Sequence, residues 1–542
     1  MEDVLVLKDY KTVPDIVHEY GPTLKFGHIP LVIDNGSYQC RVGWSIYDEP
    51  HLIFKNLIAR PRKDRCKKDA EPPVTPPIQI GNDIINIEAV RFQLKTQFDK
   101  NVVTHFEVQE QVLDYIFSHL GIDSEGSVPH PIVLTEAFVT PNYCRQLMSE
   151  LLFEGYGIPA VSYGVDSLFS MYKNNIGDSA LIVNCGYHTI HIIPVIRGKV
   201  IAHHARRINL GGSEIICYLH KLLQLKYPVH VNAITMSRIE EILHEHCSIA
   251  LDYQEEIRKW ANPDYYEANV KRIQLPFVQS TSSSGLTAEQ QKERKREMAR
   301  RLLEINARKR EERLAEDEEQ MNQLLALQVV QRREARRARR AAMLRRRTAA
   351  AAERMRVISR LTAAGDDFGT KQLLSRLIAR IILYITLTVL VYLEWYLMFQ
   401  PSMLGNLEAG LAETMEYVFK HFSAEDQLLL ANNVFLTGGC SRFPERLERE
   451  LLEMRPFQST HKVVMAKDAS LDAWYGARDF AGSNEFEKYC ITKEEYYEMG
   501  AEYLKEHHAS NIYYKSPAPI IDNTLAPAGD ANVVKEEIVV DC

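Results

Sequence analysis

Leu31-Val-Ile-Asp-Asn-Gly-Ser-Tyr-Gln-Cys-Arg-Val-Gly-Trp44 joins two apolar runs through an Asp34-Asn35-Gly36-Ser37 corner. Apolar runs broken by Asn-Gly predict a β-hairpin, because both turn positions tolerate φ > 0. Its tip presents backbone N–H groups and the Ser37 hydroxyl beside the Asp34 carboxylate. Such a corner can cradle phosphate oxygens and hold a hydrated Mg²⁺. Alone the pattern is weak, since most Asx-Gly hairpins bind nothing. Its weight comes from the segments downstream.

Val102-Val103-Thr104-His105-Phe106 runs into a helical pattern. Pro131-Ile-Val-Leu-Thr-Glu-Ala137 follows, with Pro141, Asn142 and Arg145 after it. Phe399-Gln-Pro-Ser-Met-Leu-Gly405 and Phe435-Leu-Thr-Gly-Gly-Cys-Ser-Arg-Phe-Pro444 come later, and Trp474 and Gly476 close the series. In order and in register these stretches resemble actin, over roughly residues 31–278 and 399–482. The resemblance implies an α/β, two-lobed fold of the actin/Hsp70/hexokinase type, with a nucleotide between two related halves.

A chain of 542 residues holds several domains and a large core. Its net charge of −7 names no partner. The nine cysteines show no C-x-x-C pair and no metal-ligand spacing, which reads as reduced thiols of the cytosol or nucleus. The adjacent pairs His203-His204 and His507-His508 share no helix or strand face, and no metal site is expected. Met1 to Tyr10 has no cationic start and no long apolar core, so no signal peptide is expected.

The expected organisation is an N-terminal extension (1–30), a first core part (31–279), an insertion (280–398), a second core part (399–482) and a C-terminal helix with a tail (483–542). A basic, proline-rich loop at 60–77 stands where actin has its filament-contacting loop, and is unlike it. Within the insertion, 287–360 is dense in Arg, Lys, Glu, Ala and Leu without Pro or Gly. That is the composition of a long helix or helix pair of coiled-coil type.

The resemblance implies these site residues. Asp34, Gly36 and Ser37 stand in the first phosphate hairpin, and Arg41 replaces a phosphate-facing lysine. Tyr38 replaces a glycine. In the second hairpin actin carries Asp-Ser-Gly-Asp-Gly, whereas here Asn184-Cys185-Gly186-Tyr187-His188 has lost both carboxylates. A water-orienting glutamine aligns with Asp166, and His191 keeps the family's histidine. Gly186, Gly212, Gly438 and Gly439 survive, while Leu243, His244 and Ser470 replace purine-side contacts. ATP or ADP with Mg is the cofactor implied. Retained binding without efficient hydrolysis is one reading; a vestigial cleft whose glycines serve tight turns is the other. No catalytic residue is expected, since Asn184 cannot serve as a base.

Between Gln331 and Arg347 lie nine Arg and one Glu. At about 100° per residue, Arg332, Arg333, Arg336, Arg337, Arg339 and Arg340 share one helix face. Such a face suits phosphates or clustered carboxylates; a plain solvated helix is the alternative, and the lack of compensating acids tilts the reading to binding. Thr348-Ala-Ala-Ala-Ala-Glu-Arg-Met-Arg-Val-Ile-Ser-Arg360, with Tyr163 to Phe169 and Leu471 to Ala477, resembles a nuclear branch of the actin-related proteins, that of the INO-eighty-type chromatin remodeller. That resemblance implies a nuclear, non-catalytic subunit. It would contact the remodeller ATPase, a small companion subunit and the nucleosome (DNA, the histone acidic surface or both), with roles in transcription and DNA repair. The alternative is an ATP-binding or ATP-hydrolysing cytoskeletal relative.

Residues 371–398 are abruptly apolar, and Ile381 to Leu393 carries no charge. A spanning helix needs about 20 apolar residues, so no membrane is expected. A buried helix, a membrane anchor and non-native sequence from a wrong exon boundary are the three readings, the last favoured because the similarity stops and resumes abruptly.

Overall fold

The computed structural model describes residues 4–274, 384–387 and 395–501, less short stretches of which 62–77 and 85–91 are the longest. The chain divides into two compact units, Met1–Ile273 with Thr386–Cys542, and Gln274–Ile385. The basic loop beyond Pro61, the Arg face, the Thr348–Arg360 segment and the C-terminal tail lie outside the described residues.

Two sheets of the same internal plan build the first unit. In one, the hairpin Leu31–Asn35/Gln39–Trp44 is extended through parallel strands Ile132–Glu136 and Ala160–Val165. In the other, the hairpin Ala180–Cys185/Ile190–Ile196 is extended through parallel strands Val434–Thr437 and Val463–Met465. Parallel strands are covered on both faces and so read as continuous apolar runs. Leu31, Val32 and Ile33 are all fully buried, Leu31 and Ile33 in one cluster and Val32 in another. The resemblance implied this repeated, two-lobed α/β plan, and the two sheets show it.

Between the sheets cross two helices, Asp166–Lys173 and Asp472–Ala481. A Cβ on Gly476 would stand 2.0 Å from the Phe169 carbonyl oxygen, so only glycine admits this crossing. Trp474, fully buried, donates Nε1–H to the Val32 carbonyl at 3.3 Å and pins the second helix to the first sheet.

Three segments behave differently from the sequence expectation. Residues 12–26 are strapped to the first sheet's core: Tyr115 Oη donates to Asp15, Tyr20 Oη meets His130 Nε2 at 2.6 Å, and Leu24 is buried. The C-terminal strand Ile491–Thr492 joins the edge of the first sheet antiparallel to Ala160–Val161, and Tyr496 of the helix Lys493–Met499 stacks on Phe153 at 4.7 Å. Part of the segment expected to lie beyond the core therefore completes it. In the apolar run, Tyr384–Leu387 is a strand rather than helix, and Trp395–Met398 is a 3₁₀ turn with Leu397 and Met398 fully buried. Among the described residues no helix is long and apolar enough to cross a membrane.

Candidate functional site

The tips of the two hairpins face one cavity of about 530 Å³, within the usual range for small-ligand sites. The first ladder closes at Asn35 opposite Cys40, which leaves Gly36 to Gln39 as a tip longer than a two-residue turn. Neither Asn35 nor Gly36 has a positive φ, contrary to the sequence expectation. A longer tip does not need the left-handed pair of a two-residue hairpin. Gly36 is needed for another reason: a Cβ would stand 2.7 Å from the Gln39 carbonyl oxygen.

A buried polar web fixes this tip. Thr135 Oγ1 donates to Asp34 Oδ1 at 2.6 Å and accepts the Asn35 N–H at 3.1 Å. Asn35 Nδ2 donates to Gln109, and Asn56 Nδ2 donates to both Asn35 Oδ1 and the Gly36 carbonyl. Arg41 lies directly across the ladder from Asp34 and bonds its Oδ2 at 2.9 Å. The charge expected to meet phosphate is thus turned onto the site's own carboxylate, with Arg41 Nε left unpartnered. Deeper in, Arg145 holds Glu136 by two bonds, of 3.1 and 2.6 Å, with its side chain fully buried.

The second tip runs from Gly186 to Thr189, closed by the Gly186 N–H to Thr189 carbonyl bond. Its Gly186 and Tyr187 carbonyls cap the first N–H groups of the helix Gly212–Lys226, so that helix start is satisfied within the chain. Asn184 Nδ2 donates to Asp166 Oδ2 at 3.3 Å. Burial and the nearby Asp34 charge push the Asp166 carboxyl up to about 6. His191 is pushed down to about 4, first by burial and then by Arg207; Asn101 Nδ2 reaches it at 3.5 Å. Tyr38 and Tyr187, one from each tip, meet at 4.7 Å between ring centroids.

Gly438, at φ +94°, turns the chain against the second hairpin; a Cβ there would stand 2.4 Å from the Cys185 carbonyl oxygen. Gly212 is packed on Cys440 in the same way, while Gly439 faces open space. Leu243, His244, Arg442, Ala469 and Ser470 complete this side. The cavity therefore gathers Asp34, Gly36, Ser37, Arg41, Gly186, Gly212, Gly438 and Gly439 around one space. Among the described residues no group of three His, Cys, Asp or Glu side chains could hold a metal ion. The rings of His203 and His204, expected to diverge, lie 4.1 Å apart in a 3₁₀ turn, where strand and helix periodicity do not apply.

Sequence reading missed Thr135, Asn56, Gln109 and the Glu136–Arg145 pair as parts of the site. Thr135, Glu136 and Arg145 lie within the Pro131–Arg145 motif, and the hairpin register alone places Arg41 opposite Asp34. Nothing local marks Asn56 or Gln109.

Ser167 Oγ, Asn101 Oδ1 and Arg41 Nε are buried, lack a hydrogen-bond partner and belong to cavity-lining residues. Unspent polar atoms around a cavity fit a polar ligand. The actin family profile matches residues 28–273 and 394–508. Among curated relatives, the chain is 40% identical to "Actin-related protein 5" of Gallus gallus over 97% of both chains. It is 41% identical to the Homo sapiens protein of that name over 94% of both. The Drosophila melanogaster protein is 38% identical over 90% of this chain and 99% of its own.

Proposed function

The chain belongs to the actin family, and from that premise we propose that it is a non-catalytic, nuclear subunit of an ATP-dependent chromatin remodeller. The observation that carries the non-catalytic reading is the second hairpin. Asn184 on its strand and Tyr187 at its tip are both engaged, the amide on Asp166 and the ring on Tyr38. Neither group can take a proton from water at neutral pH. The similarity to proteins named actin-related protein 5, over nearly the whole chain, supports the assignment to the remodeller branch.

The cavity takes ATP or ADP with Mg²⁺. Gly36, Ser37 and Gly186 stand at the phosphate end; Gly212, Gly438 and Gly439 stand at the purine side, where a side chain on Gly439 would enter the open space. Mg²⁺ bound with the nucleotide would supply positive charge to the phosphate oxygens, and Asp34 and Asp166 are the carboxylates that would hold it through its water shell. The subunit's work is contact: the remodeller ATPase and a small companion subunit on one side, nucleosomal DNA or the histone acidic surface on the other. The Arg332, Arg333, Arg336, Arg337, Arg339 and Arg340 face is the proposed nucleosome contact, in support of transcription regulation and DNA repair.

Affinity purification of the full chain from nuclear extract, read by mass spectrometry, tests this reading. Recovery with a Snf-two-type ATPase and a small partner is expected. Recovery with cytoskeletal proteins alone would refute it.

A further inference from the structure

A cleft that closes only on its ligand should have nothing of its own joining its two lips. Here several contacts join them. Tyr38 belongs to the first sheet's hairpin and Tyr187 to the second sheet's; their rings lie 4.7 Å apart at 35°. Tyr38 Oη also donates to Glu240 Oε2 at 3.3 Å, on the helix Met236–His246. Lys55, at the end of the first sheet's edge strand, reaches the same Glu240 oxygen at 2.6 Å, with its ammonium 5.1 Å from the Tyr38 ring centre. A second ion pair, Lys100 to Glu214 at 2.8 Å, spans the same gap. Lys55 and Glu240 are 23% and 17% exposed, so water screens their attraction less than it would on an open surface.

We propose that Tyr38, Tyr187, Lys55 and Glu240 form a clasp that holds the cleft shut without nucleotide. Each contact is modest alone, but a tilted ring contact, a hydrogen bond and an ion pair share Tyr38 and Glu240 and so reinforce one another. The clasp replaces a ligand as the bridge between lobes. Partners that dock across both lobes then meet one fixed shape, whatever the nucleotide. Only the comparison with ADP rests on the cavity being a nucleotide site.

Amide hydrogen exchange on the full chain tests the clasp, followed in peptides covering 31–44 and 185–191, with and without ADP–Mg²⁺. In the wild type these peptides are expected to be protected without nucleotide, and ADP should change their rates less than about twofold. Tyr38→Ala/Tyr187→Ala should raise the rates by about tenfold, while peptides from Ile132–Glu136 keep wild-type rates. Tyr38→Phe keeps the ring contact and loses only the 3.3 Å hydrogen bond to Glu240, and should stay near wild type. Should the double variant also loosen the Ile132–Glu136 strand, Glu240→Gln is read instead, with a rise of about threefold expected in the hairpins alone. Wild-type hairpins that become protected only on adding ADP would overturn the proposal. So would a Tyr38→Ala/Tyr187→Ala double variant, or Glu240→Gln, as protected as wild type. Failure of ADP to slow exchange in the opened double variant refutes the nucleotide reading and leaves the clasp to the comparison without ligand.

Discussion

Asp166→Asn is expected to stabilise the protein, and increasingly so as pH rises. Asp166 is half-buried in the cavity wall, and its carboxyl is raised from 3.8 to about 6 by burial and by Asp34. At about 1.36 kcal/mol per pH unit, that gap places a penalty of ~3 kcal/mol on the ionised folded state. The unfolded chain releases its proton near 3.8, and the folded chain holds it until about 6. The penalty is therefore absent below 3.8 and complete above about 6. Integrating over the two titrations, about half of that ~3 kcal/mol is already lost at pH 5 and all of it at pH 8. The wild type should thus lose about 1–2 kcal/mol relative to the variant between pH 5 and pH 8. His191 works in the opposite sense, since its lowered value favours the folded state as pH rises from about 4 towards 6.5. That contribution is common to both proteins and cancels in their difference. The asparagine keeps an oxygen for the Ser167 N–H, and Asn184 can turn its own oxygen towards the new amide. Melting curves of both proteins at pH 5, 6, 7 and 8, in chelator and without nucleotide, measure the difference, which should grow by ~2 °C over the range. A difference independent of pH would refute the reasoning. So would a variant that loses ground as pH rises, because it would mean that a cation or donor stabilises ionised Asp166.

Single-turnover assays with labelled ATP should show negligible hydrolysis; actin-like turnover abolished by Asp34→Ala would refute the non-catalytic reading. Arg145→Ala strands the buried Glu136 carboxylate and should cost ~3–5 kcal/mol in denaturant unfolding, whereas a loss below about 1 kcal/mol would mean that Glu136 reaches water. Trp474→Ala removes the pin between helix and sheet and should cost ~3–5 kcal/mol, with a near-neutral result excluding that role. Changing Arg332, Arg333, Arg336, Arg337, Arg339 and Arg340 to Ala should weaken nucleosome binding and flatten its salt slope, with core melting unchanged; unchanged binding and slope would reduce that face to a solvated helix.

The site was legible where its chemistry is backbone chemistry. Gly36, Gly212 and Gly438 are glycines because a carbonyl or a sulfur occupies the place of a side chain, and short motifs preserve that need. The hairpin tip was misread because a dipeptide suggests a turn type but does not fix loop length; the pairing of Asn35 with Cys40 does. Arg41 was read by its charge, as a phosphate group, although its register partner Asp34 was in the same stretch. Contacts between distant segments were not legible. Tyr38 and Tyr187 each looked like a departure that spoils a phosphate loop. Brought together, they and Glu240 make one structure from three segments separated by about 150 and 50 residues of chain. Two departures read separately as decay become one contact once the lobes face each other, and Tyr187, standing where the resemblance implies a carboxylate, joins the proposed clasp instead.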